Sequence, residues 1–271
     1  MKLRLLIPIL CLLLLGACSG DDAPTPIQEP EPTSFCYLQE QVVTSDSLKT
    51  KVVYTYNDQN QVIETAHVEN DKLVATRTYE YNSAGRLSRE NYFGPDNEQI
   101  SYTVYSYNPQ GRLSRYVVWQ QLALGVNHRL ATFQAQYNIN GSLQAATDFN
   151  YLDNQQKQTQ KISFTYPVNG PVSVAVSKQV SSQSYNATFT TDSLRAPLSS
   201  VPAFYIKRPG IGYPGKNNLL SLTATNTAKE DVADVSYTTA YTYNDKGYPT
   251  RADMTYNNGK TVTYTYSYRC E

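Results

Sequence analysis

A tyrosine-rich unit ending in a fixed turn recurs along this chain, and so plain a period limits the fold before any single residue is weighed. It reads Tyr54-Thr55-Tyr56-Asn57-Asp58-Gln59-Asn60-Gln61-Val62, then Tyr79-Glu80-Tyr81-Asn82-Ser83-Ala84-Gly85-Arg86-Leu87. It repeats as Tyr105-Ser106-Tyr107-Asn108-Pro109-Gln110-Gly111-Arg112-Leu113 and returns as Tyr241-Thr242-Tyr243-Asn244-Asp245-Lys246-Gly247-Tyr248. Around these units the chain alternates with a period of two. Leu48, Thr50, Val52, Tyr54 and Tyr56 share one face, and Val262, Tyr264, Tyr266, Tyr268 and Cys270 share another, opposed by Thr261, Thr263, Thr265, Ser267 and Arg269. In the Asn-x-x-Gly turns Gly supplies a positive φ and Asn tolerates the left-handed region. Other connections are Glu69-Asn70-Asp71-Lys72, Gly94-Pro95-Asp96-Asn97 and Asn257-Asn258-Gly259. With no convincing helical period, the chain reads as all-β, an antiparallel up-and-down meander of about 14–16 strands.

A meander has two open edges that invite aggregation unless closed or covered. Cys36 and Cys270 bracket the region from 35 to 271 almost to the residue. In an oxidising compartment the pair reads as a disulfide, which the chain-entropy model values at roughly 5 kcal/mol for so long a loop. Two free thiols or a partner-bound pair are the alternatives. A bridge would bring the two edges within about 7 Å. A closed or nearly closed soluble barrel is therefore the leading expectation, and a curled open sheet the second.

Tyr outnumbers Phe 24 to 7. A ring that packs on one side and meets water on the other needs a hydroxyl, so the tyrosine face is expected to line a partly wet interior. A membrane-spanning barrel needs an apolar outer band about 25 Å tall, and neither face of these strands supplies one.

The N-terminus carries Lys2 and Arg4 before an apolar run from Leu5 to Leu15. That run falls short of the roughly 20 residues of a spanning helix and reads as a secretory signal over 1–17. It ends in Leu15-Gly16-Ala17-Cys18, which resembles the bacterial lipobox and implies lipidation of Cys18. From 18 to 34, Pro24, Pro26, Pro30 and Pro32 mix with Asp21, Asp22, Glu29 and Glu31. This composition cannot build a core and reads as a tether reaching roughly 50 Å. Asp21-Asp22 resembles the export signal of surface lipoproteins in Bacteroidetes, so an outer-membrane lipoprotein is expected, on the cell surface or the periplasmic face. Residues 35–271 are long enough for one domain.

The units Tyr81 to Leu87 and Tyr107 to Leu113 resemble the tyrosine–aspartate (YD or RHS) repeat of bacterial surface and toxin-shell proteins, with Asn in place of the usual Asp. Over most of the folded region the chain is similar to Bacteroidetes lipoproteins that share a porin-like domain of unknown function. That resemblance implies an antiparallel barrel behind a lipid anchor and transfers no catalytic residue.

Chemistry-bearing motifs are scarce. His67 and His128 stand apart, without Cys or His at ligand spacing, so no metal site is expected. No G-x-S-x-G, H-E-x-x-H or phosphate-binding Gly loop occurs. Glu64, Glu80 and Glu90 are the carboxylates considered for a glycosidase-like pair, and the expectation is a solvated face, no enzyme and no cofactor. Lys plus Arg and Asp plus Glu each number 23, which leaves no basic footprint for nucleic acid. Trp119 reads as packing rather than a sugar platform. The repeat lapses from Thr191 to Asn217, where Pro197, Pro202, Pro209 and Pro214 appear. A connection this long is functional or disordered more often than neutral. It is expected to form an ordered plug or cap, or a ligand-contacting loop using Phe204, Tyr205, Lys207, Arg208 and Tyr213. The expected function is a lipid-anchored envelope binding or interaction module, its partner a glycan or an envelope protein. The alternatives are a structural envelope protein without ligand and, behind it, a glycan-active enzyme.

Overall fold

The computed structural model describes residues 34–45, 48–122, 126–152, 155–168, 170–179, 184–205, 207–213, 215–225 and 235–271, with only the backbone of Tyr205. Residues 1–33, where the expected signal, lipidated Cys18 and most of the expected tether fall, lie outside the described residues, and Ser34–Glu271 is one compact unit.

The strands follow one another as β1 (Cys36–Ser45), β2 (Leu48–Tyr56), β3 (Val62–Glu69), β4 (Lys72–Tyr81), β5 (Leu87–Phe93) and β6 (Gln99–Tyr107). Next come β7 (Leu113–Gln121), β8 (Asn127–Tyr137), β9 (Leu143–Leu152), β10 (Gln155–Thr165) and β11 (Val172–Lys178). The chain ends with β12 (Tyr185–Arg195), β13 (Asn217–Ala224), β14 (Tyr237–Tyr243), β15 (Pro249–Tyr256) and β16 (Thr261–Cys270). Each pairs antiparallel with its sequence neighbours, and β1 pairs with β16, so the described strands form a closed sixteen-stranded barrel. The seam runs from Cys36 opposite Cys270 to Thr44 opposite Thr263. Cys36 and Cys270 form a disulfide with their Cα atoms 4.0 Å apart. Closure by a full ladder plus a covalent bond leaves no edge.

The repeat is a bracket between neighbouring hairpins. In three of these turns the Asn side chain accepts from two backbone N–H groups beyond it: Asn57 from Gln59 and Gln61, Asn82 from Ala84 and Arg86, Asn244 from Lys246 and Tyr248, at 2.9–3.0 Å. An amide oxygen can take both bonds at once because it carries two lone pairs. The Gly position has a positive φ in Gly85, Gly111, Gly141 and Gly247, and Asn60 takes it in the first turn at φ 58°. The register shifts by one residue just before Tyr56, Tyr81, Tyr107, Tyr137 and Tyr243. Such bulges bend each strand at the same height and help curl the sheet.

Four of these tyrosines, and with them Tyr166 and Tyr268, then reach back to the preceding strand. The hydroxyls of Tyr56, Tyr81, Tyr107, Tyr137, Tyr166 and Tyr268 donate to the backbone carbonyls of Leu38, Val62, Leu87, Leu113, Leu143 and Pro249, at 2.6–3.0 Å. The arginine of one turn stacks on the tyrosine of the next: Arg86 lies 5.7 Å from the centre of the Tyr107 ring and Arg112 lies 5.8 Å from that of Tyr137.

Alternation sends Tyr54, Tyr79, Glu90, Thr103, Tyr105, Tyr116 and Phe133 to the lumen, with Tyr54 opposite Thr65, Tyr79 opposite Glu90 and Tyr105 opposite Tyr116. It sends Lys51, Thr55, Glu64, Thr78, Glu80 and Arg89 to the outer wall. The lumen holds two apolar clusters. The larger includes Leu113, Phe133, Leu143, Phe164, Val174, Ala187, Phe189 and Leu222, and the smaller gathers Val62, Tyr79, Leu87, Val201 and Phe204.

A candidate ligand cup above the lumenal plug

The connection from β12 to β13 folds into the barrel at the end that carries the repeat turns, the disulfide and Ser34. Consecutive tight turns build it: Ser199 N–H donates to the Ala196 carbonyl, Val201 to Leu198, Phe204 to Val201 and Tyr213 to Gly210, each at 3.0 Å. Between them Pro202–Tyr205 makes one helical turn, α1. Proline with its preset φ suits such turns, and its missing N–H costs nothing there.

Side chains wedge this plug against the wall. Phe204, 5% exposed, meets Tyr79 edge-on at 4.9 Å and Tyr54 at 6.1 Å. Ser200 and Arg195 hydrogen-bond the buried Tyr248 hydroxyl at 2.6 and 3.1 Å. Tyr213 packs on Tyr137 at 5.8 Å. Where the plug replaces a repeat turn, the Tyr243 hydroxyl pairs with Asp192, which also accepts from Asn218.

Two ion pairs clamp the plug to well-separated strands. Lys207 meets Glu90 of β5 at 3.1 Å, and Arg208 meets Asp148 of β9 at 2.7 Å. Glu90 is 4% exposed and also binds Arg77 of β4 and the Tyr105 hydroxyl, the latter at 2.9 Å. Burial works to raise the Glu90 carboxyl, but Lys207 and Arg77 outweigh it and hold it below the usual carboxylate range. Burial, then the charge of Glu90, pushes the Tyr105 hydroxyl far up, so it stays a donor. Beside this network Thr65 shares hydrogen bonds with His67 and Tyr79 at 3.1 and 2.9 Å. Burial and the charges of Arg77 and Lys207 lower the His67 pKa to about 4.

Above the plug, toward the opposite rim, lies a cavity of about 480 Å³ lined by Arg77, Glu90, Tyr92, Ser101, Thr103, Tyr105, Tyr116, Val118, Lys207 and Arg208. Tyrosine rings, two small hydroxyls and fixed charges of both signs converge there. Such a lining sets ring faces, which suit C–H groups, beside fixed polar and charged groups. A second cavity of about 230 Å³ lies on the other side of Arg208, against Asp148, Gln160 and Ile162.

Of the residues singled out in the sequence, Lys207 and Arg208 line the cup. Phe204 anchors the plug from beneath, and Tyr213 packs into the larger cluster, so neither is among the residues lining the cup. The Tyr205 side chain lies outside the described residues. Glu64 and Glu80 face outward and Glu90 inward, so these three carboxylates do not converge. His67 and His128 stand on β3 and β8, and no group of three metal-ligating side chains occurs among the described residues. The wall residues Arg77, Tyr92, Ser101, Thr103 and Tyr116 were missed in the sequence. Their period-two face was legible there, but their height above a plug was not.

No family model and no curated protein matches this chain. Two solved structures share its fold. A porin-like protein from Bacteroides uniformis aligns with a TM-score of 0.56 and 17% identity, over 86% of this chain and 98% of that one. A porin-like protein from Bacteroides vulgatus aligns with a TM-score of 0.51 and 11% identity, over 87% and 99%. The TcdB2-TccC3-Cdc42 structure aligns at only 0.23, over 14% of that chain.

Proposed function

We propose that this protein is an envelope lipoprotein, anchored through Cys18, whose plugged barrel binds a small hydroxylated ligand such as a short glycan in the cup. The observation that carries this reading is the cavity of about 480 Å³ above a plug clamped by Lys207 and Arg208. It falls in the range of about 300–1,000 Å³ typical of ligand sites. The outer wall supports a barrel standing in water rather than crossing a bilayer. Lys51, Glu64, Glu80 and Arg89 face outward from adjoining strands, and at a bilayer midplane each Lys or Arg would cost roughly 2–4 kcal/mol.

Calorimetric titration of the folded chain with a panel of neutral and acidic mono- and disaccharides tests the cup. Ser101→Trp, which fills it, is expected to abolish binding while the melting temperature stays near that of wild type. Binding that survives the filled cup would reject the lumenal site. The alternative is a structural envelope barrel without ligand, favoured by the complete pairing of Glu90 with Arg77, Lys207 and Tyr105. Absence of binding across the panel would select it. Radiolabelled palmitate incorporation lost in Cys18→Ala tests the anchor, and protease shaving of intact cells distinguishes the cell surface from the periplasmic face.

A further inference from the structure

On the outside of β5 to β9 the polar wall gives way to a continuous row of aromatic and guanidinium groups. The Arg89 guanidinium lies 4.0 Å from the centre of the Tyr102 ring. Tyr102 stacks on Trp119 with centroids 6.5 Å apart and planes 19° from parallel. Arg129 follows, 4.9 Å from the Trp119 ring and 5.0 Å from that of Tyr151. The Tyr151 hydroxyl accepts from Arg129 Nη1 at 3.2 Å and donates to Gln156 Oε1 at 3.1 Å. Arg89, Tyr102, Trp119 and Tyr151 point away from the lumen, because Glu90, Ser101, Thr103, Val118 and Asp148 line the lumenal cavities from the alternate positions, and the register shift that pairs Arg129 with Trp119 turns Arg129 to the same side.

The charges along this row are unbalanced. Arg89 has Glu80 at 3.9 Å. Arg115 and Arg129 make no ion pair among the described residues, and the Nε atom of each is buried without a hydrogen-bond partner. Although its slight burial works the other way, Thr132, Arg129 and Arg115 hold the Tyr151 phenol below its ordinary pKa. An aromatic face beside uncompensated guanidinium groups is complementary to a ligand that carries both C–H faces and anionic groups. Neighbouring strands step about 4.8 Å apart, so Tyr102 to Tyr151 spans roughly three steps, the length of a short run of sugar rings.

We propose that this row is a second binding site, outside the barrel, for an acidic polysaccharide. Its sugar rings lie on Tyr102, Trp119 and Tyr151, and its carboxylate or sulfate groups pair with Arg115 and Arg129. Trp119, which the sequence presents as a packing residue, is the centre of this platform. The site is independent of the lumenal cup.

Titration of the folded chain with polygalacturonate, chondroitin sulfate and neutral dextran tests the proposal. At least one acidic polymer is expected to bind, weakening as salt rises, and dextran is not. Trp119→Ala and the double variant Arg115→Gln/Arg129→Gln are each expected to weaken binding tenfold or more, whereas Ser101→Trp in the cup leaves it unchanged. Should Trp119→Ala fail to fold, the arginine variant decides, since it keeps the wall's apolar contacts. Absence of binding by both acidic polymers, or binding undiminished in the arginine variant, overturns the proposal. Preferential binding of a single-stranded oligonucleotide or of anionic vesicles by the same residues overturns it too.

Discussion

The Tyr107 hydroxyl donates to the Leu87 carbonyl at 2.7 Å, joining the last residue of β6 to the first residue of β5. Leu87 is itself fully buried, so its carbonyl has no water to replace the tyrosine. The same bond from Tyr56, Tyr81, Tyr137, Tyr166 and Tyr268 makes a belt around the plugged end of the barrel.

Tyr107→Phe keeps the ring and removes one donor. It is expected to lower stability by about 1–2 kcal/mol, the cost of an unsatisfied buried acceptor. Tyr102→Phe, on the outer wall, is expected to change stability by less than about 0.5 kcal/mol. Urea unfolding of the two variants checks the contrast, and equal losses would show that the belt bond contributes nothing.

Gly111 has φ 79°, and a Cβ there would lie 2.2 Å from Arg86 Nη2. Gly259 has φ 86° with nothing within 4 Å of its Cβ position. Both Gly→Ala changes are expected to cost about 1 kcal/mol for the left-handed backbone. Gly111→Ala must also push the flexible Arg86 head off the Tyr107 ring, for about 0.5 kcal/mol more. In an Arg86→Ala background that extra cost is expected to vanish, and a double-mutant cycle measures it.

Stability should fall on the acid side through two groups. His67 has a folded pKa of about 4 against an ordinary 6.5, so below pH 6.5 the unfolded chain takes up the proton first. The contribution is full above 6.5 and is lost progressively toward pH 4, by about 1 kcal/mol after allowance for the ring's partial exposure. Glu90 is held below its ordinary value, so its contribution is complete above about 4.5 and is lost as pH falls through the folded pKa. His67→Gln is expected to flatten the melting temperature between pH 6.5 and 4 while leaving the steeper loss below it. An unchanged profile would place the ring in water.

Glu90→Gln leaves Lys207 and Arg77 facing a neutral amide. A loss of about 2–3 kcal/mol is expected, less than for a fully buried pair because both cations keep some contact with water. Proteolysis should then cut first within 196–216, because one of the plug's two ionic clamps is gone. Cutting elsewhere would show that the clamp does not hold the plug.

Reduction of Cys36–Cys270 is expected to cost about 3–5 kcal/mol by the chain-entropy account. The barrel should stay closed, because β1 and β16 are also paired from Tyr37–Arg269 to Thr44–Thr263. Far-UV circular dichroism that is unchanged by reductant, with a lower melting temperature, checks both statements.

Strand number and direction were legible because period-two alternation and Asn-x-x-Gly turns are local, and each hairpin forms with its neighbour. The terminal cysteines marked the closing seam because they bracket the repeat. The 191–217 segment was legible as an interruption, and its proline turns agree with an ordered plug. Phe204 was offered as part of a plug or as a ligand contact, and its packing on Tyr54 and Tyr79 was not legible because those rings come from strands more than a hundred residues away in the chain. The same distance hides Lys207–Glu90 and Arg208–Asp148.

By itself the sequence determined an antiparallel meander with a tyrosine face and a polar face, because side-chain direction in a strand depends only on parity along the chain. Only the tertiary structure decided how high the plug sits and that Glu90 rather than Glu64 or Glu80 lies at the cup. Those depend on curvature, closure and contacts between distant strands, and no local pattern encodes them. The same holds for the outer row from Arg89 to Tyr151. Its members come from five strands, and only lateral pairing in register sets them side by side.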